Sequence, residues 1–185
     1  MSKKKRQRSE VFKLRTLGDI IIDSRDHDDN PLRQIMPDVS SYTVGKFFGD
    51  RLLDVVEYKK QRKNTWCVGL AWNQVIFSVE EPARVLIVRA AKDAPYLTYV
   101  NPYIESMYGR RYVNIELCDS LPGKRKKVLR YERIRIRFLG PDETVHYATF
   151  RDEGAAFLQH EVDHLDGILM TDDSRKLIPF RKEAN

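Results

Sequence analysis

Near the end of the chain, His160-Glu161-Val162-Asp163-His164 sets two histidines four residues apart in a segment that reads as a helix. Asp152 offers an N-cap, and Gly167 stands where a helix through about Leu165 would end. At that spacing two imidazoles leave one helical face with Cβ atoms about 6 Å apart, so both rings can reach one metal ion. Glu161, one residue round the helix, can reach a water on that ion without binding the ion itself. A catalytic site of this kind needs a third protein ligand. The H-E-x-x-H helix therefore constrains the rest of the fold, because another element must bring a donor to it.

Few residues can supply that donor. Glu183 follows His164 by 19 residues, but it stands beyond Pro179 in a tail expected to fray. His27 falls in an acidic loop and His146 in an expected strand, where a histidine is ordinarily a plain polar residue. Cys118 is the better candidate: a thiolate and two imidazoles make a Cys-His-His site, and the ion holds the thiol deprotonated. Taken alone, such a cysteine is more often a small buried hydrophobe. The chain has only two cysteines, Cys67 and Cys118, too few for a disulfide framework, so the expected compartment is reducing and cytoplasmic.

At 185 residues, with 42% apolar and 32% charged side chains, the chain has the size of one soluble domain. Its longest aliphatic run, Val85 to Val88, is far below the ~20 residues that cross a bilayer. No apolar segment follows the basic start as a secretory signal requires, so no membrane partner and no export are expected. The net charge of +6 resides in residues 1–16, which carry seven Lys or Arg against Glu10, while the remainder balances 26 against 26. The expected organisation is a basic arm over 1–16 and a single catalytic domain over 17–185, with no basic body to cradle DNA. The arm is either a solvated tail or a transient contact with a polyanion such as ribosomal RNA.

Residues 17–39 read as an acidic surface loop around Asn30-Pro31. Ser40 or Ser41 can cap a helix with Val44, Phe48, Leu52 and Val55 on its apolar face and the basic run from Lys59 to Lys63 at its C-terminal end. Strands are expected over 84–90, 96–100, 104–115, 128–139 and 144–150, broken by Pro95, Pro102, Gly109, Pro122-Gly123 and Gly140-Pro141. From Arg133 to Phe138 charged and apolar residues alternate, the pattern of a half-buried strand with a solvated charged face. Helix, then strands, then helix favours an α+β fold.

Three segments together resemble peptide deformylase. That family carries G-x-G-L-A-x-x-Q, then E-G-C-L-S-x-P, then Q-H-E-x-D-H-L-x-G. Gln159 through Gly167 matches the third motif at every fixed position. Val68-Gly69-Leu70-Ala71-Trp72-Asn73-Gln74 matches the first, with Cys67 in place of its leading Gly. Glu116-Leu117-Cys118-Asp119-Ser120-Leu121-Pro122 matches the second, with Leu117 for Gly and Asp119 for Leu. Pro31-Leu32-Arg33, Asn101-Pro102 and Val128-x-Arg130 are weaker echoes, and the order runs from about residue 17 to 172.

The resemblance implies antiparallel strands surrounding a central helix that bears the H-E-x-x-H motif. It implies hydrolysis of the N-formyl group from the initiator methionine of nascent polypeptides, releasing formate. Cys118, His160 and His164 would hold one divalent ion, Fe²⁺ or Zn²⁺, with Ni²⁺ or Co²⁺ also suited to the ligand set. Glu161 would be the general base. The Gln74 side-chain amide and the backbone N–H of Asp119 would stabilise the oxyanion, and Val68, Gly69 and Leu117 would contact the formyl-methionyl peptide.

The departures bear on the cleft. Trp72 and Leu117 add bulk where the peptide would lie, which implies a re-shaped site with altered substrate preference. The Asp119 carboxylate either raises the pKa of Glu161 by like-charge repulsion or points outward. Two alternatives stay open in the sequence: the same metal site acting on another N-acyl or formyl peptide, and a weakly active relative that binds ribosome or RNA through its arm.

Overall fold

The computed structural model of the chain describes residues 30–63, 67–90 and 93–172. The basic arm, His27 and Glu183 lie outside the described residues. Among the described residues two α-helices, α1 (Tyr42–Lys63) and α2 (Asp152–Leu165), accompany five strands: β1 (Gly69–Ala71), β2 (Val85–Val88), β3 (Leu97–Leu117), β4 (Arg125–Leu139) and β5 (Val145–Arg151). The strands form one sheet in the order β1-β2-β3-β4-β5, every neighbouring pair antiparallel. This is an α+β architecture.

Strand β2 explains how the layers assemble. Its four residues, Val85, Leu86, Ile87 and Val88, are all buried, because successive side chains enter opposite faces of the sheet and both faces are covered. Val85 and Ile87 join Phe48, Leu52, Val55 and Trp72 in the core beneath α1. Leu86 and Val88 join Leu158, Val162 and Leu165 of α2, with Ile134 and Ile136 of β4. The alternation expected from Arg133 to Phe138 is present, since Ile134 and Ile136 are fully buried while Arg135 and Arg137 are exposed.

Helix α1 starts as expected, with Ser41 Oγ accepting from the Val44 N–H at 3.2 Å. Phe48, Leu52 and Val55 are buried, but Val44 is 40% exposed. Gly45 and Gly49 occupy the closest approach instead: a Cβ on Gly45 would lie 2.2 Å from a Val100 methyl, and one on Gly49 would lie 2.4 Å from Thr98. That contact sets the helix rotation and turns Val44 aside.

Two expected strand breaks do not occur. Pro102 and Gly109 lie inside the 21-residue β3, at register shifts between Val100 and Tyr103 and between Tyr108 and Arg111. Each shift accommodates a residue that regular pairing would reject: Asn101 has φ 50 and Gly109 has φ 80. Residues 31–33 are also not simple surface loop. They form a 3-10 turn in which Asn30 Oδ1 accepts from the Leu32 N–H at 3.0 Å, and Leu32 and Met36 are buried. Helix α2 has the expected span, but Asp152 at φ 52 is not its cap; Arg151 holds that position without a side-chain capping bond.

Candidate active site

Helix α2 touches all five strands and presents His160, Glu161 and His164 to the C-terminal end of β3. The chain turns there from Leu117 into Cys118, with the Leu121 N–H donating to the Cys118 carbonyl at 3.0 Å. A ligand atom from each of Cys118, His160 and His164 lies within 4.8 Å of the other two, a group that could hold a metal ion. Cys118 Sγ stands 3.2 Å from His164 Nε2. The Glu116 carboxylate holds His160 Nδ1 at 2.9 Å, which leaves Nε2 as the nitrogen that could ligate an ion. The sulfur and the two imidazoles come from elements distant in sequence, and the donor set suits a divalent transition metal.

Behind the histidines lies a buried polar network. Arg130, fully buried on β4, donates to both oxygens of Glu116 at 2.6 and 2.8 Å and to Asp163 at 2.6 Å. Burial raises Glu116, but the hydrogen bonds from Arg130 and His160 outweigh it and hold the carboxyl at about 2. Burial also lowers His160, but its hydrogen bonds with Cys118 and Glu116 outweigh that and bring it up to about 10. His164, buried and facing the His160 charge, is lowered. Gln159 braces the helix from the other side, exchanging bonds with the backbone of Tyr131 at 3.0 and 2.9 Å.

Glu161 turns toward a cleft of about 530 Å³. Burial pushes its carboxyl up to about 7, and the Asp119 charge adds to the rise. Gly69 makes room for it, because a Cβ there would stand 2.8 Å from Glu161 Cγ and Oε1. Val68 and Gly69 line one side of the cleft with Gln74, and Leu117 and Asp119 line another. Gln74 follows β1 in a 3-10 turn, where its Oε1 accepts from the Ala71 N–H at 2.9 Å. Its amide nitrogen thereby faces Ser120 Oγ at 3.3 Å and Cys118 Sγ at 3.7 Å.

The structure thus gathers Cys118, His160, His164, Glu161, Gln74, Asp119, Val68, Gly69 and Leu117 around one cleft. Trp72 is not among them. It is fully buried against Phe48 at a ring separation of 4.7 Å, and its indole N–H donates to the Glu81 carbonyl at 2.6 Å, so its bulk fills the α1 core. Leu117, 65% exposed, does border the cleft. The Asp119 carboxylate does not simply point outward: Lys59 of α1 pairs with it. Sequence reasoning gave Glu116, Arg130 and Asp163 no role at the site, and it placed Lys59 only in the basic run at the C-terminal end of α1. The first and third stand as fixed letters of the motifs and Arg130 in a weaker echo, so each had a signal; Lys59 had none.

Two imidazoles and a sulfur around one point, with a carboxylate facing the adjoining cleft, are the donor set and acid group that a metallohydrolase site requires. Residues 24–179 match the family model of polypeptide deformylase. A peptide deformylase of Cytophaga hutchinsonii is 33% identical over 133 residues, covering 65% of this chain and 68% of that protein. The class I type b peptide deformylase of Acinetobacter baumannii, solved with Met-Ala-Ser bound, has 27% identity and a TM-score of 0.64, covering 85% of this chain and 99% of that one. A probable peptide deformylase of Synechococcus phage S-SSM7 gives 27% identity and a TM-score of 0.65, covering 82% and 95%. The chain belongs to the polypeptide deformylase family, the metal-using enzymes that take the N-formyl group off nascent polypeptides.

Proposed function

We propose that Cys118, His160 and His164 hold one divalent ion, Fe²⁺ or Zn²⁺, and that Glu161 is the general base of N-formyl hydrolysis at the initiator methionine. The convergence of the three ligand atoms within 4.8 Å carries this assignment. An ion bound there supplies Lewis-acid activation, lowering the pKa of a water towards about 7. Glu161 accepts the water's proton and delivers it to the departing amine, leaving formate and a free N-terminus. The Gln74 amide and the Asp119 backbone N–H donate to the formyl oxygen as it becomes an oxyanion, and loss of one such donor typically costs about 10²-fold or more in rate. Val68, Gly69 and Leu117, which line the cleft, hold the peptide; the Acinetobacter relative, solved with Met-Ala-Ser bound, supports a peptide as the substrate. In this arrangement α2 is the central helix surrounded by antiparallel strands.

The proposed organisation keeps residues 17–185 as one cytoplasmic catalytic domain and 1–16 as a basic arm, either a solvated tail or a transient contact with the ribosome. Among the described residues no helix is long and apolar enough to cross a membrane. Glu161→Gln tests the chemistry. Formate release from formyl-Met peptides is expected to fall about 10²- to 10⁴-fold, with one metal still bound per chain by elemental analysis after anaerobic purification. Undiminished turnover in that variant removes Glu161 as the base. The same metal analysis on the wild type identifies the ion, and co-sedimentation with ribosomes after deletion of residues 1–10 tests the arm.

A further inference from the structure

Lys59 lies near the C-terminal end of α1, 60 positions before its partner Asp119, and its side chain is 6% exposed. A lysine is seldom so buried unless its charge is matched. Its match is the Asp119 carboxylate, on the residue directly after the sulfur ligand. Asp119 also meets the other wall of the cleft, for the Cys67 thiol lies against it and donates to the Gly69 carbonyl at 2.9 Å. The Asp119 backbone N–H has no acceptor among the described residues. A turn whose donor must stay free for substrate cannot use that donor to fix itself, so the Asp119 side chain is a handle beside the Leu121 bond to the Cys118 carbonyl and the Gln74 contact with Ser120.

We propose that the Lys59–Asp119 ion pair is a positioning device: it anchors the turn after Cys118 to α1, aims the free Asp119 N–H into the cleft, and cancels the carboxylate's charge beside the developing oxyanion. The role rests on the deformylase mechanism above and deepens it. Lys59 touches no reacting atom. It acts through Asp119, and its benefit falls in the transition state, where the oxyanion forms, not in ground-state binding of the peptide.

The test compares Lys59→Met with Lys59→Arg, and repeats Lys59→Met in an Asp119→Leu background, using the full chain. Lys59→Met is expected to lower kcat tenfold or more with KM for a formyl-Met peptide changed less than twofold, while Lys59→Arg stays within threefold of wild type. In the Asp119→Leu background, Lys59→Met is expected to change kcat less than threefold, since no carboxylate remains to anchor or cancel. ¹⁵N relaxation of the metal-free proteins should show the amide order parameters of residues 119–121 falling from about 0.85 towards 0.6 in Lys59→Met alone. An unchanged kcat, or an equal loss in both backgrounds, overturns the proposal. The relaxation readout separates this outcome from failure of the deformylase assignment: if wild type releases no formate, the enzyme reading falls, and the order parameters still decide whether Lys59 anchors the turn. If Lys59→Met does not fold, a tenfold kcat loss in Asp119→Asn with KM held supports the pair, and wild-type kcat there overturns it.

Discussion

Two ion-pair groups flank the Cys118, His160 and His164 cluster, and they differ in exposure. On the histidine side, Arg130, Glu116 and Asp163 are at most 5% exposed and their bonds are 2.6 to 2.8 Å long. On the cleft side, Lys59 is buried but the Asp119 side chain is 39% exposed. Water can solvate Asp119 if its partner is removed, whereas it cannot reach Glu116 or Asp163. The closed network is therefore where stability is concentrated, and the open pair is where orientation can be lost without unfolding the domain.

The largest expected effect follows from cutting the closed network. Arg130→Met strands two buried carboxylates and should cost about 3–5 kcal/mol of unfolding free energy, measured by urea denaturation. Lys59→Met should cost about 1 kcal/mol or less, and equal losses would erase the distinction between the two sides. Next come the two bulky departures from the family pattern, Trp72 and Leu117. Trp72→Ala should cost about 3–5 kcal/mol by emptying the α1 core, while KM of the folded fraction stays within twofold. Leu117→Ala should leave stability within about 0.5 kcal/mol and shift KM for formyl-Met peptides by threefold or more.

The smallest effect lies at the open end of the sheet. His146 and Thr144 hydrogen bonds hold the exposed Asp142 carboxyl at about 2. Because this native pKa is depressed, the associated stability is present above the ordinary carboxylate value of about 3.9 and is lost as pH falls through about 2. His146→Ala should return the Asp142 midpoint towards the ordinary value in an NMR titration, with no measurable change in melting temperature at pH 7.

The histidine side was the legible one. His160, Glu161 and His164 share a single helical turn, so local spacing brings them together. Cys118 required only the inference that a third ligand must arrive from elsewhere. Lys59 was illegible because its partner is chosen by how α1 lies across the sheet, and that placement depends on Gly45 and Gly49 meeting Val100 and Thr98. Trp72 was misplaced for a related reason. It directly follows β1 in a cleft motif, but the 3-10 turn directs Trp72 into the core and Gln74 towards Cys118. Pro102 and Gly109 read as breaks because propensity counts each as a strand breaker, without crediting the register shifts that let β3 continue.

Those shifts have a consequence for how the chain can vary. Along an extended strand, odd and even positions look opposite ways, so Glu116 faces inward to His160 and Arg130 while Leu117 faces out. Each irregularity in β3 resets that parity before the chain reaches Cys118. A one-residue deletion between Arg111 and Asn114, past the last shift, would reverse the phase, turning Glu116 to solvent and pressing Leu117 against Arg130. Length changes in this ribbon should therefore be tolerated only in twos, or singly where an existing kink can absorb them.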